Sequence, residues 1–381
     1  MAFVDWFSSH IGKFIMTRSS PCIISGSGLF TPEEAINNEE LVDSFNQAID
    51  QKLPLEERAA AYSSSAFILK ASGIENRHVL NKSGILDPNK MRPDLVERED
   101  TDLSIQAEMA VKAAQQALDN ANLQANQIDA IIVACSNLQR AYPAISIEVQ
   151  AALGAQGFAY DMNVACSSAT FGIANAVALI EANQAERILV INPEICSGHL
   201  DFTDRDCHFI FGDAATAVLI ERKEQQQKGF DILSSHLETQ FSNNIRNNAG
   251  FLNRTYPETA NTRDKLFKQN GRKVFKDVCP MAAEHILNHL DKQDLKPESL
   301  KRLWLHQANL SMNELIAKKV MGRKPSIEEA PIILNEYANT SSAGSIIAFH
   351  LFQQNLNKDD LGLICSFGAG YSIGSITLKK I

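Results

Sequence analysis

The segment best suited to chemistry is AYDMNVACSSATFGIANAVALI, residues 159–180. A strand-like apolar run leads into Cys166, and a helical pattern begins directly behind it. A thiol at the start of a helix lies at the positive end of the helix dipole, which favours the thiolate. Nearby backbone N–H groups can also bind an oxyanion. The segment therefore predicts a cysteine nucleophile, although a small buried cysteine at a strand–helix junction fits the same residues.

Two polar residues in the second part of the chain occupy comparable junctions. In RLWLHQANLSMNELIAKKV (302–320), the strand-like LWL delivers His306 to a strand end, and Asn309 can cap the following helix. In NEYANTSSAGSIIAFHLF (335–352), Asn339 lies in a turn of small residues that opens a helix. A structural cap explains each of these residues equally well when each is taken alone.

A glycine-rich stretch, LICSFGAGYSIGSITL (363–378), is the last candidate motif. Its glycines are spaced GxGxxxG and a strand pattern follows, whereas a dinucleotide-binding loop reads GxGxxG and opens a helix. We therefore expect no Rossmann site here. The sequence also contains no P-loop, HExxH or GxSxG motif.

Strand-length apolar runs alternate with helical patterns, which predicts an α/β fold. The expected strands are 22–25, 130–135, 160–164, 187–191, 214–221, 230–237, 303–306, 361–366 and 372–378, and the expected helices are 102–120, 145–153, 167–182, 274–289, 310–320 and 345–355. The segments FGDAATAVLIE (211–221) and FGAGYSIGSITLKK (367–380) resemble each other, which suggests a duplicated unit. We expect two halves, 1–225 and 226–381, divided within the polar stretch 222–228.

Two regions fit no regular element well and are expected to be inserts, at about 44–100 and 240–271. The first contains one helix-like stretch, EERAAAYSSSAFILKAS. Loops of this length in a compact enzyme are usually functional, and solvated surface decoration is the alternative.

Composition excludes several functional classes. The 381 residues carry a formal net charge of −9, which disfavours nucleic-acid binding. No apolar run is long enough for a membrane span, and the first 20 residues do not resemble a signal peptide. Seven scattered cysteines without a CxxC pair indicate a reducing cytoplasm rather than a disulfide framework or a zinc site.

Taken in order, Cys166, His306, Asn339 and the Gly368-Ala369-Gly370 loop resemble the thiolase superfamily, and within it the β-ketoacyl-acyl-carrier-protein synthase III family. The matching motifs are ACSSAT, HQAN, YANTSSAG and FGAGYSIG. The resemblance runs from Ser72 to the end of the chain, outside the insert near 240–270. It implies a thiolase-like fold of two βαβαβαββ halves in a five-layer α-β-α-β-α core, with the site between the halves.

The resemblance implies a decarboxylating condensation in fatty acid biosynthesis, in which an acyl-CoA primer and malonyl-acyl-carrier protein give 3-oxoacyl-carrier protein, CO2 and CoA. Cys166 would hold the primer as a thioester, and His306 and Asn339 would donate hydrogen bonds to the enolate. The N–H groups of Cys166 and Ala369 would bind the oxyanion. No metal or cofactor is implied, since coenzyme A and phosphopantetheine are substrate carriers. Two alternatives are a starter-loading acyltransferase of secondary metabolism and a non-catalytic dimer partner.

The same resemblance assigns residues to substrate binding. Phe67 stands where the family clamps the adenine of coenzyme A with Trp, and Arg205 resembles an arginine that contacts coenzyme A. Tyr142 stands where an aromatic residue reaches across a homodimer into the partner's acyl pocket. Arg272 and Lys276, in the basic window 263–276, are also expected at the substrate.

A second basic window, 318–324, suits the acidic acyl-carrier protein, with Lys318 and Lys319 as docking residues. The family often has Arg at the positions of Ser311 and Ala71, and Gly at Ala369, so recognition of the carrier and of coenzyme A differs in detail. The long inserts resemble a subgroup that primes with medium-chain acyl-CoA, such as octanoyl-CoA, and makes a β-ketodecanoyl product.

Overall fold

The computed structural model describes residues 20–225 and 228–381. The first 20 residues, which were predicted not to be a signal peptide, therefore lie almost wholly outside the described residues. The expected division between residues 225 and 226 adjoins the undescribed residues 226 and 227. No helix within the described ranges is long and apolar enough to cross a membrane.

Strands and helices alternate along most of the chain. The strands are β1 (Cys22–Phe30), β2 (Glu34–Asn37), β3 (Asn76–Val79), β4 (Ala130–Ala134), β5 (Phe158–Met162), β6 (Arg187–Glu194), β7 (Ala214–Arg222), β8 (Phe230–Thr239), β9 (Ile245–Arg246), β10 (Lys268–Gln269), β11 (Leu300–Leu305), β12 (Leu361–Gly368) and β13 (Ser372–Lys380). The α-helices are α1 (Asn38–Lys52), α2 (Leu55–Ala61), α3 (Ser65–Ser72), α4 (Lys82–Ile85), α5 (Ile105–Ala121), α6 (Ile145–Leu153), α7 (Ser168–Glu181), α8 (Gly271–Asp291), α9 (Leu310–Met321), α10 (Leu334–Tyr337) and α11 (Ala343–Leu351).

Nine strands form one mixed sheet in the order β11-β12-β13-β8-β1-β7-β6-β4-β5. Outward from β1, the pairs β1–β7 and β7–β6 are antiparallel, and β6–β4 and β4–β5 are parallel. Outward from β8, the pairs β8–β13 and β13–β12 are antiparallel, and β12–β11 is parallel. The same pairing sequence therefore occurs twice, and a short β1–β8 pairing joins the two sets of strands.

Helices cover the two sets of strands in layers. The helices α7 and α11 lie between the sets, since α7 also contacts β12 and β13 and α11 also contacts β1, β6 and β7. The helices α5 and α6 pack on the outer face of the first set, and α8 and α9 on that of the second. This five-layer α-β-α-β-α arrangement is the fold expected from the sequence.

Small residues let the central helix α7 approach the sheet closely. A Cβ on Gly172 would lie 2.7 Å from Val190 Cγ1 and 3.1 Å from Ala134 Cβ. The apolar residues of α7 and α11 then form one buried cluster with both sets of strands. Removing the apolar surface of this cluster from water, at about 25 cal/mol per Å2, is its main contribution to the free energy of folding.

Several expectations about elements need correction. The strand expected at 22–25 extends to Phe30, and the helix expected at 102–120 begins at Ile105. Residues 44–100 are more regular than expected, because a capping box between Asn37 and Glu40 starts α1, and Ser64 caps α3 after a break behind α2. The expected strand 160–164 begins and ends two residues earlier, since β5 pairs with β4 from Phe158 onward. The strand expected at 303–306 ends at Leu305, so His306 follows it. The helix expected at 345–355 ends at Leu351, because Phe352 leaves the helical conformation.

Candidate active site

Cys166 lies on a tight turn between β5 and α7. The turn requires a positive φ of 46° at Ala165, whose N–H donates to Asn163 Oδ1 at 2.8 Å. The Ser168 hydroxyl accepts from the N–H of Val164 at 2.8 Å and so closes the turn. A non-glycine residue in this conformation is strained, and such strain is typical of functional positions.

Three hydrogen-bond donors surround the sulfur of Cys166. The Ser341 hydroxyl donates to Sγ at 3.4 Å, and the backbone N–H groups of Ala369 and Cys166 also donate to it. Burial nevertheless raises the pKa of the Cys166 thiol to about 11, and the donors offset only part of that rise. Burial of the thiol therefore opposes the thiolate that the helix N-terminus was expected to favour.

The glycine loop after β12 comes very close to the nucleophile. A Cβ on Gly368 would lie 2.6 Å from Cys166 Cβ and 3.0 Å from Sγ, so only glycine fits there. Ala369 is not among the described residues with positive φ, which explains why a side chain is tolerated at the next position.

His306 directly follows β11. Its backbone N–H donates to the carbonyl of Cys365 at 2.7 Å, and its ring packs edge-on against Phe367 at 5.2 Å. Burial lowers the pKa of His306 to about 4, while a hydrogen bond to the backbone of Ser341 raises it slightly. The imidazole is therefore neutral at pH 7, and Nδ1 has no partner among the described residues.

Asn339 is held by residues from the first half of the chain. Its N–H donates to the carbonyl of Ile210 at 3.0 Å, and its carbonyl accepts from Gly212 at 3.2 Å. Its side-chain Oδ1 accepts from the N–H of Ser341 at 2.9 Å. Since Oδ1 is engaged, the NH2 end of the amide is the part left to donate to a ligand.

Cys166, His306 and Asn339 line one cavity of about 830 Å3. Its other walls combine apolar side chains with charged ones such as Asp204, Asp206, Arg263 and Lys268, and come from the first half, the 240–271 segment and the helices α8 and α9. They include Phe67, Ala71, Cys207, Phe209, Ile210, Phe211, Ile245, Phe267, Arg272, Val274, Val278, Ser311, Met312 and Phe367. The structure thus brings together the three residues that the sequence singled out.

Two functional candidates escaped the sequence analysis. Ser341, whose φ is 50°, contacts both Cys166 and Asn339. Glu194 is fully buried at the end of β6 and accepts hydrogen bonds from the N–H and hydroxyl groups of Ser136 and Ser342, which links the two halves beside the site. Burial raises the pKa of Glu194 to about 7. A glutamate ending an apolar strand was the only local signal for it.

The residues expected at the substrate are only partly at the cavity. Phe67 and Arg272 line it, whereas Tyr142, Arg205 and Lys276 are not among the described lining residues. The guanidinium of Arg205 instead stacks on the Phe67 ring at 4.4 Å and donates to the carbonyl of Tyr62 at 2.8 Å. Tyr142 is 85% exposed.

Ion pairs neutralise part of the positive charge in both basic windows. Arg263 pairs with Asp201 and Asp204, and Lys265 with Asp264. Arg323 pairs with Glu329, and Lys324 pairs with Glu314 at 3.2 Å. No ion pair is found within the described ranges for the exposed side chains of Arg272, Lys276, Lys318 and Lys319. Among the described residues of the two windows, exposed cations without an ion pair therefore lie on the neighbouring helices α8 and α9 and at Lys268 of β10.

One cluster outside the cavity has metal-ligand residue types. Ligand atoms of His236, Glu238 and His285 lie within 4.8 Å of one another. The two imidazole rings, however, stack at 4.3 Å with an interplanar angle of 9°, and His285 Nδ1 bonds to Glu238 at 2.7 Å. Stacked rings cannot both direct a nitrogen lone pair at one ion, so this arrangement is a hydrogen-bonded structural cluster.

Comparisons with known proteins identify the family to which the chain is similar. Models of 3-oxoacyl-[acyl-carrier-protein] synthase III and of its C-terminal region match residues 160–240 and 290–380. The chain is 61% identical to the β-ketodecanoyl-[acyl-carrier-protein] synthase of Pseudomonas aeruginosa over 84% of this chain and 93% of that protein. It is 29% identical to a β-ketoacyl-[acyl-carrier-protein] synthase III of Ehrlichia canis, covering 94% and 98% of the two chains. The 3-oxoacyl-[acyl-carrier-protein] synthase III structure from Aquifex aeolicus superposes with a TM-score of 0.74 at 25% identity, covering 94% and 99%.

Proposed function

Because the chain belongs to the 3-oxoacyl-[acyl-carrier-protein] synthase III family, we propose that it condenses an acyl-CoA primer with malonyl-acyl-carrier protein. The products are 3-oxoacyl-carrier protein, CO2 and CoA, so the enzyme is an acyltransferase of fatty acid biosynthesis. Enzymes of this family need no metal or cofactor besides these substrates. The observation that carries the proposal is the convergence of Cys166, His306 and Asn339 on one cavity.

In the first half-reaction, Cys166 Sγ attacks the carbonyl carbon of the primer thioester. The C–S bond to Cys166 forms, the C–S bond to coenzyme A breaks, and the thiol proton leaves with the CoA sulfur. The N–H groups of Cys166 and Ala369 already approach Sγ, so they are well placed for the oxyanion of the tetrahedral intermediate. Burial favours the protonated thiol, and the neutral His306, which lines the same cavity, is the group we propose to accept its proton in transit.

In the second half-reaction, the malonyl thioester loses CO2 and its thioester oxygen gains negative charge. The neutral imidazole of His306 and the NH2 group of Asn339 are the donors that stabilise the resulting enolate. The enolate carbon then attacks the acyl carbon on Cys166, the C–S bond to Cys166 breaks to release the product, and the departing thiolate takes up a proton from solvent. A carboxylate in place of Asn339 would repel this charge, which is a physical reason for an amide.

For the primer we propose a medium-chain acyl-CoA, with octanoyl-CoA as the best candidate. The support is the 61% identity to a β-ketodecanoyl synthase, because a ten-carbon product requires an eight-carbon primer and two carbons from malonyl. The apolar side chains in the cavity wall suit the uncharged acyl chain of the primer or the arm that carries it. Phe67 and Arg205, stacked on each other, form a platform near the cavity that suits a nucleotide base.

For the carrier protein we propose a docking surface on α8 and the end of α9. Lys276, Lys318 and Lys319 are exposed there, and Arg272 reaches the cavity itself. An enzyme of net charge −9 needs such a local patch to attract an acidic partner.

We further propose a cytoplasmic homodimer. The outer edge of β5 ends the nine-stranded sheet, and Phe158 on it is 38% exposed. A second copy pairing there would continue the sheet and cover an unpaired edge. The N–H of Ile145 donates to Asp161 of β5 at 2.8 Å, so the neighbouring exposed Tyr142 is near the same edge. All seven cysteines are free, in keeping with a reducing compartment.

The test is incubation of the purified protein with malonyl-acyl-carrier protein and acyl-CoAs of two to twelve carbons. We expect CO2 release and a 3-oxoacyl-carrier product, with the highest kcat/KM near octanoyl-CoA. Absence of CO2 release with every primer would refute the condensation. Acyl transfer to the carrier without CO2 release would instead support a starter-loading acyltransferase.

A further inference from the structure

The loop that carries Ala369 is tied to two separate parts of the molecule. The Ser372 hydroxyl donates to the Ala369 carbonyl at 2.9 Å and is 3.3 Å from the carbonyl of Val164, in the turn that carries Cys166. The carbonyl of Tyr371 accepts from the N–H of Gln240, in the 240–271 segment, at 2.7 Å. The loop is therefore hydrogen-bonded both to the turn that carries the nucleophile and to the insert.

The side chain of Tyr371 adds a second tie to the insert. Tyr371 is 4% exposed, and its hydroxyl accepts from Asn244 Nδ2 at 2.7 Å and lies 3.2 Å from Asp277 Oδ2, to which it donates. Asn244 belongs to the insert and Asp277 to α8. A hydroxyl that accepts one hydrogen bond and donates another to a carboxylate is fixed in direction, because the two bonds strengthen each other.

We propose that Tyr371, Asp277 and Asn244 are positioning residues that hold the N–H of Ala369 against the reacting centre at Cys166. None of the three is among the described residues that line the cavity, so each acts through the loop. The inference rests on the proposed function, since the N–H of Ala369 matters for catalysis only if an oxyanion forms there. It gives the insert a part in the chemical step, and not only in the choice of substrate.

The direct test is Tyr371→Phe, which removes the hydroxyl and keeps the buried ring. Loosening one oxyanion donor should lower kcat about tenfold, less than the 10²–10³ for losing a donor outright, with little change in KM for the primer. Tyr256→Phe is the matched control, because Tyr256 is 60% exposed in the same insert. Its kcat should equal that of the unchanged protein.

A second readout does not depend on condensation. Because the N–H of Ala369 donates to Sγ, its displacement in Tyr371→Phe should move the pH profile of Cys166 alkylation by iodoacetamide to higher pH. Asp277→Ala should have the same effect, the double variant should show no further loss, and Asp277→Asn should partly restore kcat.

If Tyr371→Phe lowered the melting temperature but left kcat and the alkylation profile unchanged, the inference would be overturned. Strictly additive losses in the double variant would also overturn it. If the unchanged protein failed to condense any primer, the proposed function would fall. The alkylation profiles would still decide the role of Tyr371.

Discussion

The two halves of the molecule contribute to the site in contrasting ways. The first half supplies the nucleophile Cys166 on a strained turn, and the second half supplies His306 and Asn339 as hydrogen-bond donors. Burial acts on both sides but in opposite directions, since it raises the pKa of Cys166 to about 11 and lowers that of His306 to about 4. Desolvation therefore favours the neutral form of both groups, the thiol of Cys166 and the neutral imidazole of His306.

The largest effect is expected from removal of the nucleophile in the first half. Cys166→Ala should abolish both the acyl-enzyme adduct and condensation, because no other group is proposed to form the thioester. Intact-mass measurement after incubation with octanoyl-CoA reads out the adduct. Cys207→Ala is the matched control, since Cys207 lines the same cavity yet has its thiol pKa raised by burial to about 12. An adduct persisting in Cys166→Ala would mean that another residue is the nucleophile.

Removing a donor of the second half should separate the two half-reactions. Asn339→Ala should slow malonyl decarboxylation by roughly 10²–10³, the usual effect of losing one donor to a developing negative charge. Self-acylation of Cys166 should change little, because the amide is not proposed to act in that step. Asn339→Asp should be at least as impaired, owing to charge repulsion. Equal losses in both half-reactions would contradict the division of labour between the halves.

Ser341 connects the two halves, because it belongs to the second half and its hydroxyl donates to the Cys166 sulfur of the first half. With a thiol pKa of about 11, the alkylation rate of Cys166 should rise about tenfold per pH unit between pH 7 and 9. Ser341→Ala removes a donor that favours the thiolate, so the rate at any pH in this range should fall about tenfold. An unchanged rate would show that the contact does not stabilise the thiolate.

The smallest effect is expected at the proposed carrier-docking surface of the second half. Replacing Lys318 and Lys319 together by Gln should raise KM for malonyl-acyl-carrier protein roughly fivefold at low salt, with kcat and the primer KM little changed. The difference should shrink as salt screens the charges. Lys324→Gln is the control, because Lys324 is already paired with Glu314. A similar rise in KM for the control would argue against a specific patch.

The residues of the site were predicted from the sequence more completely than the elements of the fold. Cys166 and His306 were found because each follows a strand pattern and precedes a helix pattern, and Asn339 because it lies in a turn that opens a helix; such features are local in sequence. Residues 44–100 were underestimated, since several short helices there are stabilised by packing against a common apolar cluster rather than by strong periodicity. The pairing of Arg263 with Asp201 and Asp204, which neutralises part of the first basic window, joins residues about 60 positions apart and could not be read from the sequence.

By itself, the amino-acid sequence determined the alternation of strands and helices, the family, and the three residues proposed to react. These depend on periodicity, caps and motifs, which a linear chain displays directly. The packed structure adds that burial favours the neutral forms of Cys166 and His306, that Ser341 and Glu194 border the site, and that Tyr371 hydrogen-bonds the insert to the glycine loop. Burial and hydrogen bonding between segments far apart in sequence produce these properties, so they arise only when the two halves pack together.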